Sequence, residues 1–194
     1  MKCSVAANEF KWKAVEKKQY ELDYTKSDVI SQQFLNWKIP MRAHTVTWSV
    51  PGKLHCFQPS KNPIGHNPDW FEANPTLDAL FNRTDDIVLR YAGQVLQWDV
   101  LNEPLHGNFF LKSFPDYDGN LWADMISHVK QADPRVKTLI NDYNIVRSDK
   151  ASCYNELTSN VTIDYAGLQG HIHQGVNGHY LKYRLDTLAN HKSG

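Results

Sequence analysis

Three groups of residues in this chain have the types and spacing to do chemistry. The first is Glu103, which closes the run Val95-Leu96-Gln97-Trp98-Asp99-Val100-Leu101-Asn102 and is followed by Pro104. A proline has no N–H for a strand ladder, so the run should end as a buried strand with Glu103 at its lip. A carboxyl there, beside an amide and under aromatic loops, meets the conditions in which partial desolvation raises a pKa. That is what a general acid needs to protonate a leaving group near neutral pH. The second group is His44 and Trp48, four apart in His44-Thr45-Val46-Thr47-Trp48. In a strand, positions i, i+2 and i+4 share a side, so both rings should reach one cleft. An imidazole that bonds hydroxyls and a flat apolar ring suit a sugar, with its C–H faces and rim of hydroxyls.

The third group is His171 and His173, again on one side of an expected strand, with Gln169 before them. A His-x-His pair could ligate zinc, and His44, His55 and His106 could add ligands. No cysteine or carboxylate stands at ligand spacing, so metal chemistry ranks last. Neither a Gly-rich phosphate loop nor a Gly-x-Ser-x-Gly elbow occurs, which argues against nucleotide chemistry and serine hydrolysis.

Elements of two kinds position these residues. Apolar segments at Ser4–Asn8, Pro40–Trp48, Val95–Asn102, Val136–Asp142 and Asp164–His171 read as strands. Helical patterns lie between them: one after Ser27 and Asp28 as caps, one from Leu77 through Tyr91 closing at Gly93, one from Leu121 ended by Pro134, and one from Tyr180 to Asn190. Alternation of this kind implies βαβ units and a parallel α/β sheet. Functional groups of such folds gather at the carboxyl ends of the strands. Here those ends hold Asn8, His44 with Trp48, Asn102 with Glu103, Asn141 with Asp142, and Gln169 with His171. Two long connections, 49–76 with five prolines and 104–119 rich in aromatics, read as active-site loops or disordered insertions.

Composition excludes several classes. The 194 residues carry 21 Lys+Arg against 21 Asp+Glu, so no charge footprint for nucleic acid or an anionic membrane exists. No apolar run reaches the roughly 18 residues of a membrane span, and Met1–Ala7 is too short and polar for a signal peptide. The three cysteines, Cys3, Cys56 and Cys153, leave at least one thiol without an intramolecular mate. Two sequons, at Asn82 and Asn160, would accept glycan in a secreted protein.

Taken in order, these segments resemble the glycoside hydrolase family 10 β-1,4-xylanases over essentially the whole length. Trp98-Asp99-Val100-Leu101-Asn102-Glu103 is similar to that family's strand-four motif, with Arg90–Gln94 and Leu105–Phe110 similar to its flanks. Asn8-Glu9-Phe10-Lys11-Trp12 resembles strand two, Arg42–Trp48 strand three, Asn141-Asp142-Tyr143-Asn144 strand five, and Gly167–His171 strand six. The resemblance implies an incomplete (β/α)₈ TIM barrel, strands two to six, forming one partial catalytic domain over 1–194. It implies retaining endo-hydrolysis of β-1,4-xylan, with Glu103 as acid/base. Asn8, Lys11, His44, Trp48, Asn102 and Tyr143 would bind substrate, and Gln169 and His171 would position the nucleophile. No cofactor or metal is implied, and the partner is xylan or a xylo-oligosaccharide.

Departures from the family pattern also matter. Ala7 stands where a glutamate is usual, and Ser49 where a histidine is common. A whole barrel takes about 250 residues, and the nucleophile strand is expected beyond Gly194. The expectation is therefore a fragment of a secreted, extracellular parent that has no retaining activity by itself. The alternative is a non-catalytic carbohydrate-binding protein built on the same barrel.

Overall fold

The computed structural model describes residues 3–50, 67–146, 150–172 and 175–190. Five parallel strands, β1 (Ser4–Ala6), β2 (Met41–Trp48), β3 (Val95–Asn102), β4 (Lys137–Asp142) and β5 (Tyr165–Leu168), lie side by side in chain order. The sheet curls into a half-barrel of the (β/α)₈ kind, with helices on its outer face. Those helices are α1 (Trp12–Val15), α2 (Thr25–Trp37), α3 (Asp69–Ala73), α4 (Leu77–Arg90), α5 (Phe109–Ser113), α6 (Leu121–Ala132), α7 (Lys150–Thr158) and α8 (Gly178–Asn190). Among the described residues no helix is long and apolar enough to cross a membrane.

β3 forms as its sequence requires. Trp98, Asp99, Val100, Leu101 and Asn102 are all buried, the pattern of a strand covered on both faces. Each fully buried large apolar side chain contributes about 1.5–3 kcal/mol. Phe10 binds the start of the chain to this strand, its ring 6.0 Å from Trp98 and 5.0 Å from Tyr91. On the outer face, α4 begins where the Thr76 hydroxyl accepts from Ala79 N, and it buries Leu80, Ile87 and Val88. Gly93, at φ 76°, turns the chain after this helix, in the left-handed region that favours glycine.

Arg83 of α4 explains how the end of β2 is held. Buried completely, it donates through Nη2 to Phe10 O (2.6 Å) and through Nε to Val46 O (3.2 Å). Burial pulls its pKa below the usual guanidinium range, against the opposing pull of Tyr24, Asp86 and Glu16. The segment that carries His44 and Trp48 is thereby anchored from outside the sheet.

Several expected boundaries differ. The first strand stops at Ala6, because Asn8–Phe10 turns into a 3₁₀ helix with Phe10 N bonded to Ala7 O. β2 begins at Met41 and β4 at Lys137, one residue later than expected. β5 ends at Leu168, so Gln169, Gly170 and His171 follow the strand instead of extending it. α2 starts at Thr25, two residues before the expected caps. Ser27 Oγ instead donates back to Tyr24 O, and Asp28 is held by Arg90 and Tyr91. α8 starts at Gly178, two residues before Tyr180. The aromatic-rich 104–119 connection contains the short α5, and α7 lies in a stretch where no helix was read.

Candidate active site

Glu103 leaves β3 with φ 58°, a left-handed backbone that costs a side-chain-bearing residue about 1–2 kcal/mol. Neighbouring backbone holds it there. Its N–H donates to Asn141 O (2.7 Å), and its carbonyl accepts from His106 N (3.2 Å) and Gly107 N (3.0 Å). The turn swings the carboxylate between two donors: Trp48 Nε1 meets Oε2 at 2.9 Å, and Gln169 Nε2 meets Oε1 at 2.9 Å. β2, β3 and the segment after β5 thus converge on one carboxyl.

His44 and Trp48 do meet, their ring centroids 5.2 Å apart and edge-on. Simple alternation along the strand does not bring them together, however. The pairing of β2 with β3 shifts register between His44 and Thr47. Such an irregularity resets which face a side chain takes. His44 Nδ1 bonds Asp99 Oδ2 at 2.8 Å. Lys11 stands beside Trp48, Nζ 4.8 Å from the ring centroid, and donates to Asn8 Oδ1 at 2.8 Å. Burial pulls the Lys11 pKa below the usual amine range, while the charges of Glu103 and Glu9 work the other way.

Beneath these groups runs a buried polar chain. Arg42 donates to Asp99 Oδ1 through Nε (2.9 Å) and Nη2 (2.7 Å), and to Asn141 Oδ1 through Nη2 (3.0 Å). Asn141 Nδ2 donates to Asn102 Oδ1 at 2.6 Å, and Gln169 Nε2 reaches the same oxygen at 3.3 Å. His171 Nε2 lies 3.0 Å from Gln169 Oε1. Asn102 Nδ2 is buried and has no partner among the described residues.

Tyr143 completes the set on the far side of Glu103. Its ring stacks on His106, centroids 3.6 Å apart, and burial pushes its hydroxyl pKa up, with help from the charges of Glu103 and Asp142. His106 Nδ1 bonds Asp142 Oδ1 (2.6 Å), and Asp142 also accepts from Leu105 N (2.8 Å) and Tyr143 N (2.7 Å). Burial pushes the Asp142 pKa up against those hydrogen bonds. The sequence offers His106 only as a zinc ligand and Asp142 only as a strand-end group, and it points neither to their pairing nor to Arg42 as a holder of Asp99 and Asn141. Their partners lie 57, 99 and 36 residues away, beyond any local pattern.

The zinc arrangement does not form among the described residues, where no group of three or more potential ligands gathers. His44 and His106 each give Nδ1 to an aspartate, and His171 follows β5 instead of lying on it. His55, His173 and Cys56 lie outside the described residues, as does most of the proline-rich 49–76 connection. Cys3 and Cys153 are exposed free thiols.

The strand ends surround a trough of about 460 Å³, onto which His44, Trp48, Gln169 and His171 open together with Ala7. Glu103 reaches it through its bonds to Trp48 and Gln169. A larger cavity of about 640 Å³ lies on the outer flank, between α4 and the segment after α1. Convergent polar groups, not volume, distinguish the trough as the candidate site.

Known proteins share this fold. The chain is 29% identical over 194 residues to an "Endo-1,4-beta-xylanase" of Agaricus bisporus, covering 95% of this chain and 55% of that protein. It is 27% identical over 191 residues to "Anti-sigma-I factor RsgI6" of Acetivibrio thermocellus, covering 96% of this chain and 23% of that protein. Among solved structures, a thermostable mutant of the Cellvibrio japonicus xylanase Xyn10A superposes with a TM-score of 0.78 at 19% identity. That match covers 97% of this chain and 57% of that one, and it bears on the fold alone. The chain thus spans about half the length of the first of these relatives and less of the second. The model of "Glycosyl hydrolase family 10" matches residues 1–193, and the chain belongs to that family.

Proposed function

We propose that this chain is the acid/base half of a retaining endo-β-1,4-xylanase. The observation that carries the reading is the Glu103 carboxylate, clasped by Trp48 and Gln169 at the rim of a trough walled by His44 and His171. In the proposed reaction Glu103 protonates the glycosidic oxygen as the bond breaks, then takes a proton from the water that opens the glycosyl-enzyme. The nucleophile is a second carboxylate about 5–5.5 Å across the bond, supplied by chain outside these 194 residues. Asn102 bonds the 2-hydroxyl of the reacting sugar, and Asn8, Lys11 and His44 bind other hydroxyls. Trp48 and Tyr143 offer flat faces. Gln169 and His171 orient the nucleophile. The parent acts on xylan outside the cell, and the exposed Asn160 sequon is open to glycan there.

The test uses both forms of the protein. The 194-residue chain alone should turn over neither xylan nor an aryl xylobioside. In the full-length parent, Glu103→Gln should slow xylan cleavage by 10²-fold or more, the usual contribution of a general acid. It should affect cleavage of an activated aryl leaving group far less. Equal losses on both substrates would remove Glu103 from the acid role. The second reading, a carbohydrate-binding protein without catalysis, is favoured by Ala7, which puts a methyl group on the trough. A full-length parent that binds xylotetraose but never cleaves it would establish that alternative.

A further inference from the structure

A guanidinium donates hydrogen bonds and accepts none. The atom of Asn141 that lies 3.0 Å from Arg42 Nη2 is therefore the amide oxygen, whichever way the amide is drawn. Asn141 must then turn its nitrogen to Asn102, so the Asn102 atom 2.6 Å away is an acceptor, Oδ1. Gln169 reaches the same polarity from the other end. Its nitrogen is committed to the Glu103 carboxylate at 2.9 Å, and it approaches Asn102 Oδ1 at 3.3 Å as a donor. The group left over is Asn102 Nδ2, buried beside Glu103 with no partner among the described residues. An unmatched buried donor is costly to leave in place and calls for a ligand acceptor.

The same guanidinium acts in a second direction. Arg42 occupies Asp99 Oδ1 with two N–H groups, leaving Oδ2 to accept from His44 Nδ1. With Nδ1 turned to Asp99, the ring directs Nε2 away from that carboxylate. His44 opens on the trough, and no partner of its Nε2 is found among the described residues.

We infer that Arg42 is a positioning residue that, through Asn141, fixes which way the Asn102 amide faces and so leaves its Nδ2 as a donor for a ligand. The inference rests on the saccharide reading for its ligand, a sugar whose hydroxyl accepts from Asn102. It rests on the geometry alone for the orientation of the amides.

The test reverses the polarity without changing the shape. Asn141→Asp is isosteric and accepts only once ionised; Asp99 shares the same guanidinium and works against ionisation, so the spectra are followed up to about pH 9. Two oxygens 2.6 Å apart repel more than the longer 3.3 Å bond from Gln169 holds, so Asn102 turns Nδ2 inward and presents Oδ1. In ¹H–¹⁵N spectra of the 194-residue chain, one side-chain amide proton of Asn102 should move downfield in the variant. An unchanged Asn102 amide would overturn the role of Arg42.

The second arm titrates xylobiose and its 2-deoxy and 2-deoxy-2-fluoro analogues, the sugar modified on the reacting residue. Fluorine accepts weakly and does not donate. The unmodified chain should hold the fluoro sugar about tenfold better than the deoxy sugar, an equivalent of about 1.4 kcal/mol. Asn141→Asp should erase that preference, and Arg42→Lys, also donor-only, should keep it. Loss of the preference in Arg42→Lys would overturn the inference, as would its persistence in Asn141→Asp. If no form binds any of the sugars while the amide proton still moves, the saccharide reading fails and the role of Arg42 stands.

Discussion

Gly107 is the tightest point between the loop that carries Glu103 and the end of β2. A Cβ built there would lie 2.2 Å from Ser49 O and 2.5 Å from Val50 N, both backbone atoms that no side-chain rotation can clear. A carbon and a carbonyl oxygen rest about 3.3–3.6 Å apart, so Gly107→Ala requires the two backbones to part by about 1 Å. Overpacking of this kind costs about 1–3 kcal/mol. Parting them also stretches the bond from Phe109 N to Ser49 O, 3.2 Å long, which adds about 1 kcal/mol. The expected loss is about 2–4 kcal/mol, which for a chain of this size lowers the thermal midpoint by roughly 4–16 °C. Circular dichroism melts of Gly107→Ala measure it, with Gly170→Ala as the control because nothing lies within 4 Å of its Cβ position. A Gly107→Ala midpoint within a degree of the parent, or no lower than the Gly170→Ala one, would refute the close approach. It would also undo the placement of the Glu103 loop against β2.

Arg83→Met should destabilise by about 3 kcal/mol or more in urea unfolding, because charged hydrogen bonds to Phe10 O and Val46 O vanish and leave buried acceptors unmatched. A gain in stability would mean that the buried charge itself was the dominant cost. Burial works to raise the Asp164 pKa, but Lys130, Lys137 and Thr138 hold it below the usual carboxylate range. A depressed carboxylate stabilises the fold above the unfolded pKa of about 3.9 and loses that contribution as pH falls through the folded value. The stability gap between the native chain and Asp164→Asn should therefore be constant from pH 7 to pH 5 and narrow below pH 4. A gap that widens on acidification would contradict the sign. Cys3 and Cys153 should both react rapidly with a thiol reagent in the folded chain, and a count below two fast thiols would contradict their exposure.

What the sequence revealed depended on how local the cause was. β3 was legible to the residue because an apolar run and Pro104 mark both its body and its end. Helix α6 was legible for the same reason, with Pro134 behind it. α7 was not, because its buried positions are Ala151, Tyr154 and Thr158, a small residue and two that carry hydroxyls. Tyr154 and Thr158 enter the core only by bonding Ile140 O and Tyr154 O, which no count of apolar residues registers. Ser27 and Asp28 have capping chemistry, yet Asp28 is spent on Arg90 and Tyr91, more than 60 residues away. Of the expected site residues, Trp48 and Gln169 bond Glu103 directly, and His171 reaches it only through Gln169. The bonds from Arg42 to Asp99 and Asn141, and from His106 to Asp142, became visible only once the strands were side by side.

The left-handed backbone of Glu103 sets durability against chemistry at a single position. Glycine takes φ 58° freely, so Glu103→Gly would relieve a strain of about 1–2 kcal/mol while deleting the carboxyl. The exchange would also leave Trp48 Nε1 and Gln169 Nε2 without their acceptor, so relief of the backbone is set against the loss of two hydrogen bonds. On the proposed acid role, residue 103 of the full-length parent is thus where backbone ease and the carboxyl's bonds to Trp48 and Gln169 pull in opposite directions.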